Sequence, residues 1–236
     1  MFGWRGCYGW VSPSTIQLPW ELQAMLPEGV GVVATNLNVR AHEAAEFERA
    51  QQGIAVAIEV VVGEGARAVV LAGVPLAVRQ GYRREQEAHR TWSERAGVPV
   101  TSGSAAAVLG LEALGARRPV VVTAYLEEFN RLIAAYLEEA GLAVAAVGGL
   151  SVRSPAEASQ TEPGAYYGLV RELLRAHPHA DSVFLGTRGN VMEVVLQLED
   201  DFGLPVVHSP QAGLWWALRH LRIAPSPGWG RLLSLR

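Results

Sequence analysis

Short apolar runs alternate along this chain with longer segments in which apolar and charged residues recur at helical spacing. The apolar runs are rich in Val and end at Gly, Ser, Thr or Pro, which is typical of buried strands bounded by turns. Strands that alternate with helices in this way predict βαβ units around parallel sheets. The predicted strands are 6–11, 30–34, 68–72, 98–101, 119–123, 143–147, 182–185 and 204–208. The predicted helices are 41–63, 83–95, 104–114, 126–139, 164–175, 191–202 and 212–221.

The second half of the chain repeats the pattern of the first half. Segment 97–104, Gly-Val-Pro-Val-Thr-Ser-Gly-Ser, ends a predicted strand and begins a helix, and 203–210, Gly-Leu-Pro-Val-Val-His-Ser-Pro, does the same. Turn chemistry alone can repeat Gly-x-Pro-Val before a strand in any α/β protein. Four strands that match in the same order favour an internal duplication instead. Each half is therefore predicted to be a four-stranded α/β unit.

The location of a functional site follows from this architecture. In open parallel sheets, ligands bind beyond the carboxyl ends of the strands. In a duplicated fold the two sets of strand ends can face each other, which places the predicted site between the halves. The loops at these ends are rich in hydroxyl, amide and glycine residues, which suit an anionic ligand. They are 12–15, 36–39, 73–76, 123–125, 149–151 and 186–189.

The composition and net charge exclude several kinds of functional site and partner. The 236 residues carry a net charge of −3, and all twenty basic residues are Arg. The absence of Lys excludes a Schiff-base lysine, a pyridoxal phosphate anchor and a phosphate-loop lysine. A negative net charge offers no basic field for nucleic acid. The single cysteine, Cys7, allows neither an intrachain disulfide nor a thiolate metal cluster. We expect no metal site and no nucleic-acid partner.

The start of the chain lacks a basic region followed by an apolar one, so we expect no signal peptide. The apolar run 54–62 is broken by Glu59 and is too short to span a bilayer. We therefore expect a cytoplasmic protein with no membrane partner.

Three segments carry a resemblance to known enzymes. Segment 120–130 reads Val-Val-Val-Thr-Ala-Tyr-Leu-Glu-Glu-Phe-Asn, segment 104–118 is Ala/Leu-rich and ends Leu-Gly-Ala-Arg-Arg, and segment 227–232 reads Pro-Gly-Trp-Gly-Arg-Leu. Taken in their order along the chain, these segments resemble the aspartate/glutamate racemase superfamily, above all its arylmalonate decarboxylase and maleate isomerase branch. The shared order over most of the chain carries the resemblance, since each match alone is short.

The resemblance implies an α/β fold of two pseudo-symmetric four-stranded parallel-sheet αβα (flavodoxin-like) domains with the active site between them. The expected first domain is 1–117 with 209–236 as a returning C-terminal helix, and the expected second domain is 118–208. The implied ligand is a small carboxylate or dicarboxylate, bound without a cofactor. The family fold often forms homodimers. Trp215 and Trp216 are our candidates for such a contact, since exposure of both to solvent would be unusual.

The resemblance also implies roles for single residues. In the decarboxylase, hydroxyl and backbone donors hold one carboxylate of a malonate, an apolar pocket destabilises the other, and a cysteine protonates the enediolate left by CO2. Tyr125 falls on the carboxylate-binding tyrosine, Gly189 on a backbone-donor glycine, and Gly73 on the decarboxylase glycine where racemases have their first cysteine. The expected substrate-binding residues are Ser14, Thr15, Asn36, Gly73, Val74, Pro75, Thr123, Tyr125, Arg188 and Gly189.

This chain departs from the family where the chemistry lies. Thr187 stands where the protonating cysteine belongs, and its hydroxyl is a far weaker acid than a thiol, whose pKa is about 8.5. Val74 and Pro75 replace a Thr-Ser pair, which removes two hydroxyls and, at Pro75, one backbone N–H. Arg188 replaces a glycine, and Ile16 replaces the carboxylate-binding Asn of the isomerase. Two-base racemisation by cysteines is not expected, and a covalent cysteine adduct is excluded at these positions.

The candidate catalytic residues are Thr187, Tyr125 and His208. Tyr125, Thr187 and the backbone at 188–189 would form an anion hole, with Arg188 binding a second acidic group. His208 ends a strand and is the best-placed imidazole for acid–base work near neutral pH, so it and water are the candidate proton donors.

Each role has a structural alternative. Tyr125 can be an amphipathic core residue, and Thr187 can cap the helix that follows it. Arg188 can form a surface ion pair, His208 can be a histidine hydrogen-bonded between domains, and Asn36 can serve its own turn.

The leading hypothesis is a cofactor-independent lyase or isomerase that forms the enediolate of a small carboxylic acid, most similar to arylmalonate decarboxylase. One alternative is a maleate-isomerase-like enzyme, or another member of the superfamily, with an acid or base other than cysteine. The missing cysteines motivate a second alternative, a catalytically silent protein that binds a carboxylate.

Overall fold

The computed structural model describes residues 3–14, 18–40, 44–187 and 189–235. Within these ranges the chain forms eight strands in two sheets, with helices on the sheet faces. The strands are β1 (Gly6–Ser12), β2 (Val30–Asn36), β3 (Val69–Leu71), β4 (Val100–Ser102), β5 (Pro119–Thr123), β6 (Ala146–Gly149), β7 (Ser182–Gly186) and β8 (Val206–His208). The helices are α1 (Trp20–Met25), α2 (Ala44–Gly63), α3 (Val74–Val78), α4 (Tyr82–Ala96), α5 (Gly103–Ala113), α6 (Glu127–Glu139), α7 (Pro155–Gln160), α8 (Pro163–Ala176), α9 (Met192–Phe202), α10 (Ser209–Leu221) and α11 (Gly230–Ser234).

The two sheets have the same strand order and direction. The first sheet runs β2-β1-β3-β4 and the second runs β6-β5-β7-β8. Every neighbouring pair of strands is parallel. This equivalence of the halves confirms the predicted pseudo-symmetric α/β fold.

The predicted elements are all present, with shifted ends. The largest shift of a strand start is at β6, which begins at Ala146 rather than at 143. The predicted helix 41–63 is seen from Ala44, since 41–43 lie outside the described residues. Four helices of five or six residues (α1, α3, α7 and α11) were not predicted. Of these, α3 contains Val74 and Pro75, which we expected in a loop. Pro75 lies in its first turn, where a missing N–H costs no helical hydrogen bond.

The core explains the apolar composition of the strands. All five residues of β5 are buried, as expected for a parallel strand covered by helices on both faces. Helices α5 and α10 pack against each other, and α10 also contacts β1 and β3 while α5 contacts β7 and β8. Each of these helices therefore follows the last strand of one sheet and packs on the other sheet.

Burial settles the expectation for Trp215 and Trp216. On α10 they are only 4% and 7% exposed, so the exposure that made them candidates for a dimer contact does not occur. Cys7 is also buried, and burial raises the pKa of its thiol. Among the helices of the described ranges, none has the length and apolarity needed to cross a bilayer.

Candidate active site

The carboxyl ends of the two sheets face each other. Gly103, which begins α5 after β4, lies against Ser209, which begins α10 after β8. A Cβ built on Gly103 would be 2.8 Å from Ser209 Oγ. Helices α3 and α4, which follow β3, contact α6, which follows β5. The segments after the strands of one half therefore meet those of the other half.

Two carboxylates join the two halves by binding helix N-termini across them. Glu21, on α1, accepts hydrogen bonds from Val191 N at 2.9 Å and Met192 N at 2.8 Å, where α9 begins. Glu139, on α6, accepts from Tyr82 N at 2.7 Å, where α4 begins. The first N–H groups of a helix lack partners inside the helix and carry partial positive charge, so each carboxylate stabilises the helix it meets. Burial raises the pKa of Glu21 while the two N–H bonds lower it, and burial is the larger effect.

Thr187, which follows β7, is held by a second hydroxyl. Its Oγ1 shares a hydrogen bond of 2.9 Å with Tyr166 OH from α8 and accepts from Gly189 N at 3.2 Å. Both Thr187 and Tyr166 are buried. The alternative that Thr187 caps α9 is wrong, because Glu21 binds the N–H groups at the start of that helix. The backbone N–H of Gly189, expected to donate to a ligand, here donates to Thr187.

Tyr166 was missed by sequence reasoning. It lies on an amphipathic helix beside Tyr167, and its spacing from Thr187 matches no motif. Burial raises the pKa of its phenol, which keeps the hydroxyl protonated at neutral pH.

His208 lies on β8, next to β7, and its ring faces the backbone of Thr187. The carbonyl of Thr187 can only accept, so His208 Nε2 donates to it at 3.0 Å. The ring is buried, and burial lowers the pKa of His208 to about 4. It is therefore neutral at pH 7, which corrects the expectation of an acid–base group near neutral pH. The geometry favours the hydrogen-bonded alternative, with the bond inside the second half rather than between domains.

The Tyr125 turn follows β5, the neighbour of β7. Thr123 pairs in register with Gly186, so Tyr125 and Thr187 follow adjacent strand ends. Thr123 Oγ1 accepts from Tyr125 N at 2.9 Å and donates to Asn130 Oδ1 at 2.6 Å. Thr123 therefore orders the turn, and within the described chain α6, which begins after Leu126, has no side-chain cap.

Gly149 closes this turn from the side of β6. A Cβ at Gly149 would lie 2.3 Å from both Tyr125 O and Asn130 Nδ2, so only glycine permits the approach. Tyr125 is buried, and its ring lies 6.2 Å from that of Phe129. Burial is expected both for a core residue and for a residue that lines a cleft. The ligand role of Tyr125 therefore stays a prediction.

The loops of the first half pack closely around Gly73. A Cβ on Gly73 would be 2.6 Å from Pro13 Cγ, and its φ of +95° is one that L side chains rarely adopt. Gly73 thus brings the loops after β1 and β3 together. Val74 and Pro75, which follow it, are buried in α3. Ser14, after Pro13, is half-buried.

Asn36, at the end of β2, uses its side chain locally. Its Oδ1 accepts from Asn38 N at 2.9 Å, in a turn where Asn38 has a φ of +55°. This supports the turn alternative for Asn36. Thr15, Ile16 and Arg188 lie outside the described residues, so their predicted roles stay predictions. Among the residues with a described position, no group of three or more His, Cys, Asp or Glu could hold a metal ion.

Comparisons with known proteins agree on one family. Residues 9–233 match the sequence model of the family described as arylmalonate decarboxylase. The arylmalonate decarboxylase of Bordetella bronchiseptica is 30% identical over 174 residues, which is 72% of each chain. The maleate isomerase of Nocardia farcinica is 30% identical over 135 residues, 57% of this chain and 54% of the isomerase.

Solved structures show the same fold. A double mutant of arylmalonate decarboxylase in the liganded form superposes with a TM-score of 0.90 at 25% identity, covering 96% of this chain and 98% of that chain. The maleate isomerase of Pseudomonas putida S16, solved with maleate, superposes with a TM-score of 0.89 at 19% identity, covering 97% of both chains. At that identity the isomerase structure supports the fold alone.

Proposed function

The chain belongs to the arylmalonate decarboxylase family, and from that premise we propose that it is a cofactor-independent decarboxylase of a small malonate-type dicarboxylic acid. The proposed reaction forms an enediolate and protonates it without a cysteine. The observation that carries the proposal is the buried Tyr166–Thr187 hydroxyl pair at the end of β7, beside the Tyr125 turn.

This hydroxyl pair supports anion binding through its hydrogens. Thr187 Oγ1 accepts from Gly189 N, and it can also accept from Tyr166 OH. Tyr166 OH also bonds Thr161, whose hydroxyl donates to Glu157 O, so Tyr166 can give its one hydrogen to either threonine. When it donates to Thr187, the hydrogen of Thr187 Oγ1 is left to donate to a ligand oxygen. Tyr125 would add a second donor from the adjacent strand end. Donors fixed in a buried site stabilise developing negative charge more strongly than water does, because they need not reorient.

The proposed step uses these donors on the carboxylate that remains. The bond between the α-carbon and the other carboxylate breaks, its electron pair moves into the retained carboxylate, and CO2 leaves. The retained group becomes an enediolate, and the hydroxyl pair and Tyr125 stabilise its added charge. The enediolate then takes a proton at the α-carbon. Thr187 serves as a hydrogen-bond donor and not as the acid, since an alcohol gives up a proton far less readily than a thiol.

A carboxylate-binding protein without turnover is the second candidate. It is favoured by one observation, that glycine and threonine stand at 73 and 187, where the racemases and the decarboxylase carry their cysteines. In that case the same donors would hold the acid but no proton would be delivered to carbon.

Proton NMR in D2O distinguishes the decarboxylase from the carboxylate-binding protein without turnover. The protein is incubated with aryl- and alkylmalonates, maleate, and α-amino and α-aryl acids. Loss of CO2 with one deuterium at the α-carbon is expected for a malonate. Thr187→Val, which removes the hydroxyl but keeps the shape, should slow this reaction strongly. Line broadening of an acid without exchange or CO2 loss would support the binding protein and contradict the decarboxylase.

A further inference from the structure

A buried cluster around one carboxyl lies at the carboxyl end of the first sheet and has no part in the chemistry above. Glu85, on α4, is 3% exposed, and its Oε2 accepts a hydrogen bond from Tyr136 OH of α6. It also shares a side-chain hydrogen bond with Ser102, at the end of β4. His89 Nε2 lies 3.7 Å from Glu85 Oε1, too far for a hydrogen bond, and has no such partner among the described residues. The cluster therefore joins the two halves through a carboxyl and a phenol.

A small cavity connects this carboxyl to the end of β3. Its lining includes Glu85, Ser102, Ala72 and Gly73, and it offers about 10 Å³ of space for a water-sized molecule. That volume is close to what one water needs, and Glu85 and Ser102 supply polar partners for it. Gly73 forms the cavity wall at the loop that meets Pro13. Glu85 and Gly73, which follows β3, thus line the same small cavity.

The surroundings of Glu85 favour its neutral, protonated form. The groups that face it are Tyr136 from α6, Ser102 from β4, and His89 from its own helix. Burial lowers the pKa of His89 to about 4, so its ring carries no charge at pH 7. Burial raises the pKa of Glu85 to about 7, against the lowering effect of the hydrogen bonds from Tyr136 and Ser102.

Two ion pairs lie on α4 and the elements next to it. Arg83 of α4 pairs with Glu139 of α6, and Arg95 of α4 pairs with Glu59 of α2, both at exposed positions. Tyr82 of α4 has its pKa raised by burial, with smaller contributions from Glu112 of α5 and from Glu85.

We propose that Glu85 is the proton source of this site, delivering its proton through a water in the cavity at Gly73 to the α-carbon of the enediolate. The inference rests on the proposed function. As the C–H bond forms from the electron pair of the enediolate, the water gives up one proton and takes the proton of Glu85. The product carboxylate is restored and Glu85 is left ionised. A proton from solvent then returns Glu85 to its acid form, and this is the proton that the overall loss of CO2 consumes.

The test compares Glu85→Gln, Glu85→Asp and Tyr136→Phe, with Glu87→Gln, exposed on the same helix, as the matched control. General acids contribute roughly 10²- to 10⁴-fold to a rate. We expect Glu85→Gln to lower kcat at least about 100-fold and to abolish the fall of kcat that the parent shows above about pH 7. Glu85→Asp should keep that fall at a reduced rate. Glu87→Gln should behave as the parent.

Tyr136→Phe supplies a readout that a structural role would not give. Because the Tyr136 hydrogen bond lowers the pKa of Glu85, its removal should move the fall of kcat to higher pH. If the parent decarboxylates malonates and Glu85→Gln has the same rate and pH profile as the parent, Glu85 is not the proton source. The proposed function would still stand. A parent that releases no CO2 from any malonate overturns the proposed function, and the proton source falls with it.

Discussion

The hydroxyl oxygens of Tyr166 and Thr187 lie 2.9 Å apart, both buried at the carboxyl end of β7. The resemblance places Thr187 at the position of the family cysteine, and Tyr166 reaches it from α8, 21 residues earlier in the chain. A thiol needs no such partner to act as an acid, whereas a hydroxyl that binds an anion gains from a fixed orientation. The pair therefore suits binding and stabilisation of an anion more than proton transfer.

Removing the Tyr166 hydroxyl tests this pairing. Tyr166→Phe removes the hydroxyl and its hydrogen bonds to Thr187 and Thr161 without changing the ring, and we expect a loss of about 1–2 kcal/mol in the free energy of unfolding. With Thr187 no longer oriented, kcat/KM for the malonate should fall roughly 10-fold or more, because a donor to the developing charge is misaligned. Urea unfolding and steady-state kinetics measure the two effects.

Tyr167→Phe is the matched control, since Tyr167 donates to Asp201 at 2.7 Å on the outer side of the same helix. It should lose some stability while keeping its kinetics. Equal kinetic effects in the two variants would contradict a role for the Tyr166–Thr187 pair in the site.

Glu21 is predicted to hold the loop after β7 from the other half of the molecule. Glu21→Gln replaces one acceptor oxygen with a donor, which leaves the N–H of Val191 or Met192 without its partner. We expect a loss of about 1–3 kcal/mol, the usual cost of an unsatisfied buried polar group. Amide hydrogen exchange at these two positions should speed up.

Glu28→Gln, at an exposed position, serves as the control for Glu21 and should leave both amides as slow as in the parent. Unchanged exchange in Glu21→Gln would show that the carboxylate does not hold the start of α9.

The strands were predictable because each is a short apolar run closed by glycine, proline or a hydroxyl residue, and β5 was predicted with both ends correct. The short helices were not, since α3 has five residues and shows no helical period. Thr187 and Tyr125 were named as site residues from the resemblance to the family, and both follow the ends of predicted strands.

Other parts of the site depend on contacts between distant parts of the chain. Glu21 reaches Val191 across 170 residues, and Glu85 meets Tyr136 across 51. In sequence, Glu21 and Glu85 look like ordinary helix glutamates. Only the packing of α1 on α10, with Glu21 at the start of α9, and the packing of α4 on α6 bury them. The pKa of His208 was misjudged for the same reason, because burial cannot be read from a strand end alone.

His208 should make the protein sensitive to acid. Its folded pKa of about 4 lies below the ordinary value of 6.5, so the unfolded chain takes up the proton first as pH falls. The stability that the neutral ring provides is complete above pH 6.5 and is lost as pH falls toward 4. Between pH 7 and pH 5 we expect this loss to be about 2 kcal/mol.

His208→Gln keeps a side-chain N–H for the carbonyl of Thr187 but cannot take up a proton. Urea unfolding at pH 7 and pH 5 should show a smaller loss in this variant than in the parent. His177→Gln, at an exposed turn, should lose as much stability as the parent. The same loss in His208→Gln would mean that other groups, His89 among them, account for the acid sensitivity.

Glu85 should make the folded protein less stable as pH rises, whereas His208 makes it less stable as pH falls. Its folded pKa of about 7 lies above the ordinary value of 4.5, so the folded protein holds this proton more tightly than the unfolded chain does. The corresponding stability is complete below pH 4.5 and is lost as pH rises through 7. Between pH 5 and pH 8 the loss amounts to roughly 2 to 3 kcal/mol.

Glu85→Gln removes this loss, because the amide has the shape of the neutral carboxyl, accepts from Tyr136 and never ionises. Relative to the parent, the variant should therefore gain stability as pH rises from 5 to 8, whatever its catalytic rate. Urea unfolding at both pH values, with Glu87→Gln as control, measures the difference. A constant gap between Glu85→Gln and the parent would mean that Glu85 is already ionised at pH 5, and an ionised carboxylate has no proton to give to an enediolate.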